Sequence, residues 1–125
     1  PIVSNHIDLN LLNTSALDNG IVDYIKQKYM RPLAVSPLAG GRIEHGTDEQ
    51  ALKLRKKLNE MATKYDSNIE SVAVAWLIKL GALPLIGTLE ENRIQNIVDA
   101  FAIEIDHQDW YELYNTSRPA PAVLD

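Results

Sequence analysis

The chain of 125 residues contains no cysteine. That absence removes disulfides, thiolate metal sites and cysteine nucleophiles together, and it favours a reducing cytoplasm as the compartment. No apolar run reaches about 18 residues, so no membrane helix is read. Positive charge is not in excess either: the formal net charge is −5 and the pI is near 5.1. A general nucleic-acid surface needs the opposite balance to neutralise phosphates. The N-terminal PIVSNHIDLN has no initiator methionine, no basic start and no long apolar core, so it is not a secretory leader. It opens at once on strand-like sequence, as if the chain were cut from something longer. Internal repeats and low-complexity stretches are missing too.

What is present is ordinary: 46% hydrophobic and 23% charged residues, in a length that suits one modest domain. Ile2 to Leu9 alternates, with Val3, Asn5, Ile7 and Leu9 on one side and Ser4, His6 and Asp8 on the other, which predicts a strand. Leu17 to Met30 carries Leu17, Ile21, Tyr24, Ile25 and Tyr29 at helical spacing, weakened by Gly20 and ended by Arg31-Pro32. LAVSPL, Leu33 to Leu38, predicts a second buried strand running into the glycine-rich Ala39-Gly40-Gly41. Asp48 to Tyr65 predicts an amphipathic helix with Leu54, Leu58, Met61 and Tyr65 on its apolar face and acids at its positive end. A further helix starts at Ser67, which has capping-box spacing to Glu70, and ends at Gly81.

Leu83 to Ile86 predicts a third strand. Glu91 to Phe101 follows as a helix with Ile94, Ile97, Val98 and Phe101 buried, and Asp106 to Ser117 as a last helix. Strands alternating with helices predict a parallel sheet with right-handed crossovers. Three strands are few for an independent domain. Both outer strands would be open edges, which calls for further β/α units beside them.

Three stretches are candidate sites. In LPLIGTLEENRIQN, Thr88 and Glu91 have the spacing of a capping box, which by itself needs no ligand. The same helix start, following a strand and a glycine, presents free amides suited to a phosphate, with Arg93 one turn in. Glu90 and Glu91 oppose an anion there. In LAVSPLAGGRI, a serine, two glycines and Arg42 follow a strand. Glycines permit close backbone approach and Arg42 would balance a pyrophosphate, while the simpler alternative is a turn with a solvated arginine. The stretch is neither a P-loop nor a G-x-G-x-x-G turn. In NHID, His6 and Asp8 share a strand face. A polar layer at a strand end fits them better than a catalytic couple or a metal pair, because no third ligand has suitable spacing. The cluster Lys53, Arg55, Lys56 and Lys57 reads as a solvated helix face, and Trp76 and Trp110 read as packing aromatics.

These strand ends, in this order, resemble the C-terminal part of the aldo-keto reductase family, closest to its bacterial oxidoreductase branch. The likeness spans nearly the whole chain. NHIDL resembles the family's sixth barrel strand, LAVSPLAGGRI the seventh strand and its cofactor loop, and PLIGTLEENRIQN the eighth strand and the turn that grips the adenosine phosphate. AVAWLIKLGALPLIGT is especially characteristic. The resemblance implies an α/β fold, the C-terminal part of a (β/α)8 TIM barrel. Three parallel strands with crossover helices and a C-terminal helix would occupy residues 1–118, followed by an extended tail over 119–125.

It implies NADPH bound in extended form without a Rossmann domain. His6 falls where the family has a glutamine that holds the nicotinamide carboxamide. Ser36, Leu38 and Gly40 fall on pyrophosphate-loop positions, beside Arg42. Thr88 and Arg93 match the serine/threonine and arginine that contact the 2′-phosphate, and Asn96 falls near the adenine-contacting positions. Val35 stands where the family commonly stacks an aromatic ring on the nicotinamide. Gly87 stands where many members have a lysine.

The family's catalytic aspartate, tyrosine, lysine and histidine come from the first half of the barrel, and nothing here resembles those segments. Tyr24, Tyr29, Tyr65, Tyr111 and Tyr114 all fall on predicted helices. The expectation is therefore the cofactor-binding portion of a cytoplasmic NADP-dependent oxidoreductase that reduces a small-molecule carbonyl. No catalytic residue, no metal, no nucleic acid and no membrane is expected in this segment, and its partner would be the remaining barrel portion or a second copy. Two alternatives stand beside it. One is a non-enzymatic module of the same family that senses nucleotide or pairs through its edges. The other is a small open α/β domain unrelated to reductases.

Overall fold

The computed structural model describes residues 4–28, 31–35, 37–85 and 91–117. Its sheet has three strands, β1 (Ser4–Asp8), β2 (Arg31–Val35) and β3 (Leu83–Pro84), all parallel and in the order β1-β2-β3. Asp8 stands opposite Val35, and Ala34 opposite Pro84. The Leu85 amide extends the ladder by donating to the Ala34 carbonyl at 2.9 Å. Ile86 and the first three residues lie outside the described set.

β2 takes in Arg31-Pro32, which the sequence placed at a helix end. Proline is tolerated here because β3 pairs with β2 only from Leu33 onward, so Pro32 has β1 alone beside it. The predicted helix over 17–30 is two helices, α1 (Ser15–Asp18) and α2 (Ile21–Gln27). Gly20 separates them in the left-handed region at φ 86°. Val22 and Ile25 enter the core while Ile21 and Tyr24 stay exposed, so the buried face is narrower than the spacing predicts. The glycine-rich stretch after β2 is not an open loop. It winds into a 3-10 turn (Ala39–Gly41) and a short helix, α3 (Arg42–His45).

α4 (Glu49–Lys64) matches its predicted span, with Asp48 as N-cap accepting from the Ala51 amide. That hydrogen bond, the largest influence on Asp48, together with Arg42, holds its carboxyl below the ordinary range. α5 (Ile69–Leu80) ends at Gly81, φ 101°, as expected. Its start differs from expectation. Ser67 is not the cap: its amide closes the end of α4 by donating to the Ala62 carbonyl at 2.8 Å, so it is not open to the Glu70 half of a capping box. Asn68 caps α5 instead, accepting from the Ser71 amide at 2.9 Å.

α5 is buried all round from Glu70 to Leu77. Across it lie α6 (Glu91–Ala100) and α7 (His107–Ser117). Trp76 of α5 and Trp110 of α7 stack with centroids 4.8 Å apart and planes 5° from parallel. Each indole also donates to the other residue's backbone carbonyl, at 3.1 and 3.0 Å. Both polar handles are thus satisfied inside an apolar contact. Asp109 ties α7 to α4, accepting from Lys64 at 2.6 Å and from Tyr65 at 2.5 Å. Burial pushes the Asp109 carboxyl up, but these donors outweigh it and hold it below its ordinary value. On α6, Ile97 and Ala100 are buried, whereas Val98 and the Phe101 that follows the helix are more than half exposed, against expectation. Among the described residues no helix is long and apolar enough to cross a membrane.

Replacing Trp110 by alanine removes the stack and the hydrogen bond that its indole donates to the Trp76 carbonyl. We expect a loss of about 3–5 kcal/mol in a denaturant melt. A loss below about 1 kcal/mol would contradict the packing described.

Candidate functional site

A parallel sheet puts all strand C-termini at one end. α5 finishes just ahead of β3, so its first turn lies at that same end of the sheet, and α6 starts there after β3. The segments following β2 and β3 therefore have their chance to meet near Asn68 and Glu70. They meet through Arg93.

Arg93 stands in the first turn of α6. Its Nη2 lies 3.2 Å from Glu44 Oε2, on α3, and its Nε lies 3.4 Å from Glu70 Oε2, on α5. The Glu44 contact is a hydrogen bond. The Glu70 contact is ionic only, since Glu70 Oε2 is buried without a hydrogen-bond partner. Glu70 is held from its other oxygen, which accepts from Asn96 Nδ2 at 3.3 Å. Asn96 in turn accepts from Asn68 Nδ2 at 3.0 Å, and its backbone carbonyl accepts from Ser71 Oγ at 2.6 Å. The chain Asn68–Asn96–Glu70–Arg93–Glu44 thus fastens the start of α5 to α6 and to α3.

Burial pushes the Glu70 carboxyl up, and the neighbouring Glu44 carboxylate pushes it further, against the opposing pull of Arg93 and Asn96. Glu44 is additionally within 3.4 Å of His45 Nε2.

The other expected site residues are distributed as follows. His6 is exposed in β1, opposite Leu33. Its neighbour Asp8 accepts from Asn13 Nδ2 at 3.0 Å, which is the polar strand end that the sequence favoured. Leu38 is half-buried, and its carbonyl accepts from the Gly41 and Ile43 amides at 3.2 and 3.5 Å. Gly40 lies inside the 3-10 turn, and Gly41 takes φ 93°. Arg42 is paired with Asp48 at 3.1 Å. Ser36 and Thr88, together with the proposed Thr88–Glu91 capping box, lie outside the described residues. Among the described residues no group of three or more His, Asp or Glu side chains is placed to hold a metal ion.

Three residues were missed by sequence reasoning. Glu44 carries no motif, and Glu70 was read only as half of a capping box. Arg55 was read as part of a solvated face, yet it donates to the carbonyls of Ile43, Arg42 and Gly46 at 2.9, 3.3 and 2.7 Å. It fixes the turn that carries Glu44. A Cβ at Gly46 would sit 2.5 Å from the Arg42 carbonyl oxygen, so this turn requires glycine.

The aldo/keto reductase family model matches residues 1–117. The 6-dehydroglucose reductase of Agrobacterium fabrum is 32% identical over 115 residues, covering 90% of this chain and 38% of that protein. Oxidoreductase YdhF of Escherichia coli is 29% identical over 115 residues, with the same 90% and 38% coverage. The chain therefore spans about two fifths of the length of these relatives. Among solved structures, the thermostable aldo-keto reductase Tm1743 overlays with a TM-score of 0.75 at 20% identity, over 93% of this chain and 40% of that one. A Gox0644 variant crystallised with NADPH overlays with a TM-score of 0.72 at 18% identity, over 91% and 38%.

Glu70 generates a pH signature. A carboxyl whose folded pKa is raised destabilises the native state once it ionises. Stability is expected to fall as pH rises from the ordinary glutamate value of 4.5 through the raised folded value. Glu70→Gln is expected to remove that decrement in urea melts across the series. An unchanged pH profile in the variant would contradict the burial argument.

Proposed function

The chain belongs to the aldo/keto reductase family, its three parallel strands and their helices forming the C-terminal part of a (β/α)8 barrel, and from that premise we propose that it is the nicotinamide-nucleotide-binding portion of an NADPH-dependent carbonyl reductase. The observation that carries the reading is the meeting of Arg93 with Glu44. It brings together the stretch after β2, assigned by resemblance to the pyrophosphate, and the stretch after β3, assigned to the adenosine 2′-phosphate.

The residues present fit such a nucleotide in part. Arg93 is anchored on buried Glu70 while its side chain keeps 32% of its surface exposed, so a guanidinium fork is oriented and reachable. A 2′-phosphate is the ligand that a fixed fork recognises best. Thr88 would add a hydroxyl donor, Arg42 would face the pyrophosphate with Ser36, Leu38 and Gly40 shaping the loop, and His6 would approach the nicotinamide carboxamide. Asn96 would contact adenine from the edge that Glu70 and Asn68 leave open. The bound nicotinamide supplies hydride to a carbonyl carbon.

The oxygen needs a proton, and no tyrosine among the described residues is placed to give it. Tyr65 is committed to Asp109, and burial, followed by that carboxylate, pushes its hydroxyl above the ordinary value. Tyr114 bonds Asp18, and Tyr24 and Tyr111 lie on helices away from the strand ends. The proton donor would come from the rest of the barrel, and with it the substrate pocket.

A non-enzymatic, partner-binding role is the second reading. It is favoured by the exposed Ile21 and Tyr24 on α2, Val98 on α6 and Phe101 just after that helix. A stable dimer in solution that closes both edges would support it.

For the leading reading, calorimetry is expected to show weak NADPH binding by this chain and no aldehyde turnover. Arg93→Lys keeps the charge but loses the fork, and is expected to weaken NADPH binding about tenfold. Nanomolar binding together with turnover would overturn the assignment of catalysis to the rest of the barrel.

A further inference from the structure

Arg93 does not face solvent as a lone cation. Glu44 and Glu70 both lie on it, so two carboxyl groups converge on one guanidinium. The two acids differ in what they can do. Glu70 is 6% exposed, sits in the first turn of a helix buried on all sides, and is held by Asn96. It cannot leave without unpacking α5. Glu44 belongs to the four-residue α3, its side chain is 26% exposed, and it contacts Arg93 Nη2, the exposed His45 ring and the Glu70 carboxyl. It can swing away by giving up its part-exposed contacts with Arg93, His45 and Glu70, without unpacking a helix.

Glu44 therefore occupies the place on Arg93 that an incoming phosphate would take. A phosphate dianion arriving there meets a carboxylate of its own sign already bonded to the guanidinium edge. A ribose 2′-hydroxyl does not meet that penalty, and a carboxylate is an acceptor for it. We propose that Glu44 is a specificity-determining residue: its contact with Arg93 weakens binding of nucleotides that carry a 2′-phosphate relative to those that carry a 2′-hydroxyl. Glu70 is the positioning residue that keeps Arg93 oriented in either case. This rests on the reading of Arg93 as a 2′-phosphate ligand, and it refines the choice of cofactor at that site.

The test uses the whole chain with adenosine 2′,5′-bisphosphate and 5′-AMP as probes, which differ only in the 2′-phosphate. Affinities are read from amide shift titrations, which follow millimolar binding. Glu44→Gln keeps the size of the side chain and removes its charge. It is expected to tighten the bisphosphate about tenfold, the scale of one charge–charge interaction at a half-exposed site, and to leave 5′-AMP within about twofold.

Arg93→Lys, measured alongside, separates the two claims. If it weakens the bisphosphate while Glu44→Gln does not tighten it, Glu44 has no selective role and the cofactor reading stands. If Arg93→Lys changes neither probe, the 2′-phosphate reading of Arg93 falls and this inference with it. Equal tightening of both probes by Glu44→Gln would show a general charge effect and overturn the proposal, as would failure of that variant to bind either probe at millimolar concentration.

Discussion

A helix segment buried on every side must find a partner for any charge it carries, and in the buried stretch of α5, from Glu70 to Leu77, that charge is Glu70. The flanks of α5 are apolar: Val72, Val74, Trp76 and Leu77 are all fully buried. A carboxylate in such a setting is costly unless it is paired. The nearest cation is Arg93, contributed by the helix after β3, and the nearest neutral donor is Asn96, one turn further along the same helix. Satisfying Glu70 therefore fixes where α6 sits and which way Arg93 points. Glu44 then bonds Nη2 of the same guanidinium. The geometry at this end of the sheet follows from one buried acid.

At the opposite side of α5 the constraint is aromatic. Trp76 and Trp110 exchange hydrogen bonds to each other's backbone as well as stacking, and Tyr114 extends the stack at 5.6 Å from Trp110. Asp109, Lys64 and Tyr65 bind the same helix to α4. α5 is thus held from α7 and α4 on one side and from α6 on the other. The site residues rest on a frame that is rigid where it is packed. They project from short elements, α3 and the first turn of α6, that leave their outer faces in solvent.

Much of this was legible in the sequence where period and punctuation agree. α4 shows a clean apolar stripe through Leu54, Leu58 and Met61, and Gly81 ends α5 in the left-handed conformation that glycine favours. The order and parallel pairing of the strands followed from the alternation of elements. The misses have local physical causes. Ser67 looked like a cap, but it still belongs to the end of α4, where its amide is bound, and α5 begins one residue later with Asn68 accepting from the Ser71 amide. Val98 and Phe101 belong to the apolar arc of α6, yet a periodic pattern marks what a helix is able to bury and supplies no neighbour to bury it against. The Arg93 cluster was half legible. The arginine stands out by its spacing from Thr88, whereas its two acids lie 49 and 23 residues away in sequence and no local pattern announces them. Arg55 was hidden among lysines, because periodicity does not tell a solvated cation from one that reaches three carbonyls.

The central claim is that Arg93, oriented by Glu70, is the group that receives the 2′-phosphate. Its most direct test is the Nε–Hε resonance of Arg93 in the intact chain during addition of adenosine 2′,5′-bisphosphate. The account predicts a saturable shift of that resonance, with a scalar or dipolar connection to the 2′-phosphorus, and no such shift with 5′-AMP. An Arg93 resonance that stays in place while amides elsewhere in the chain respond to the bisphosphate would contradict it.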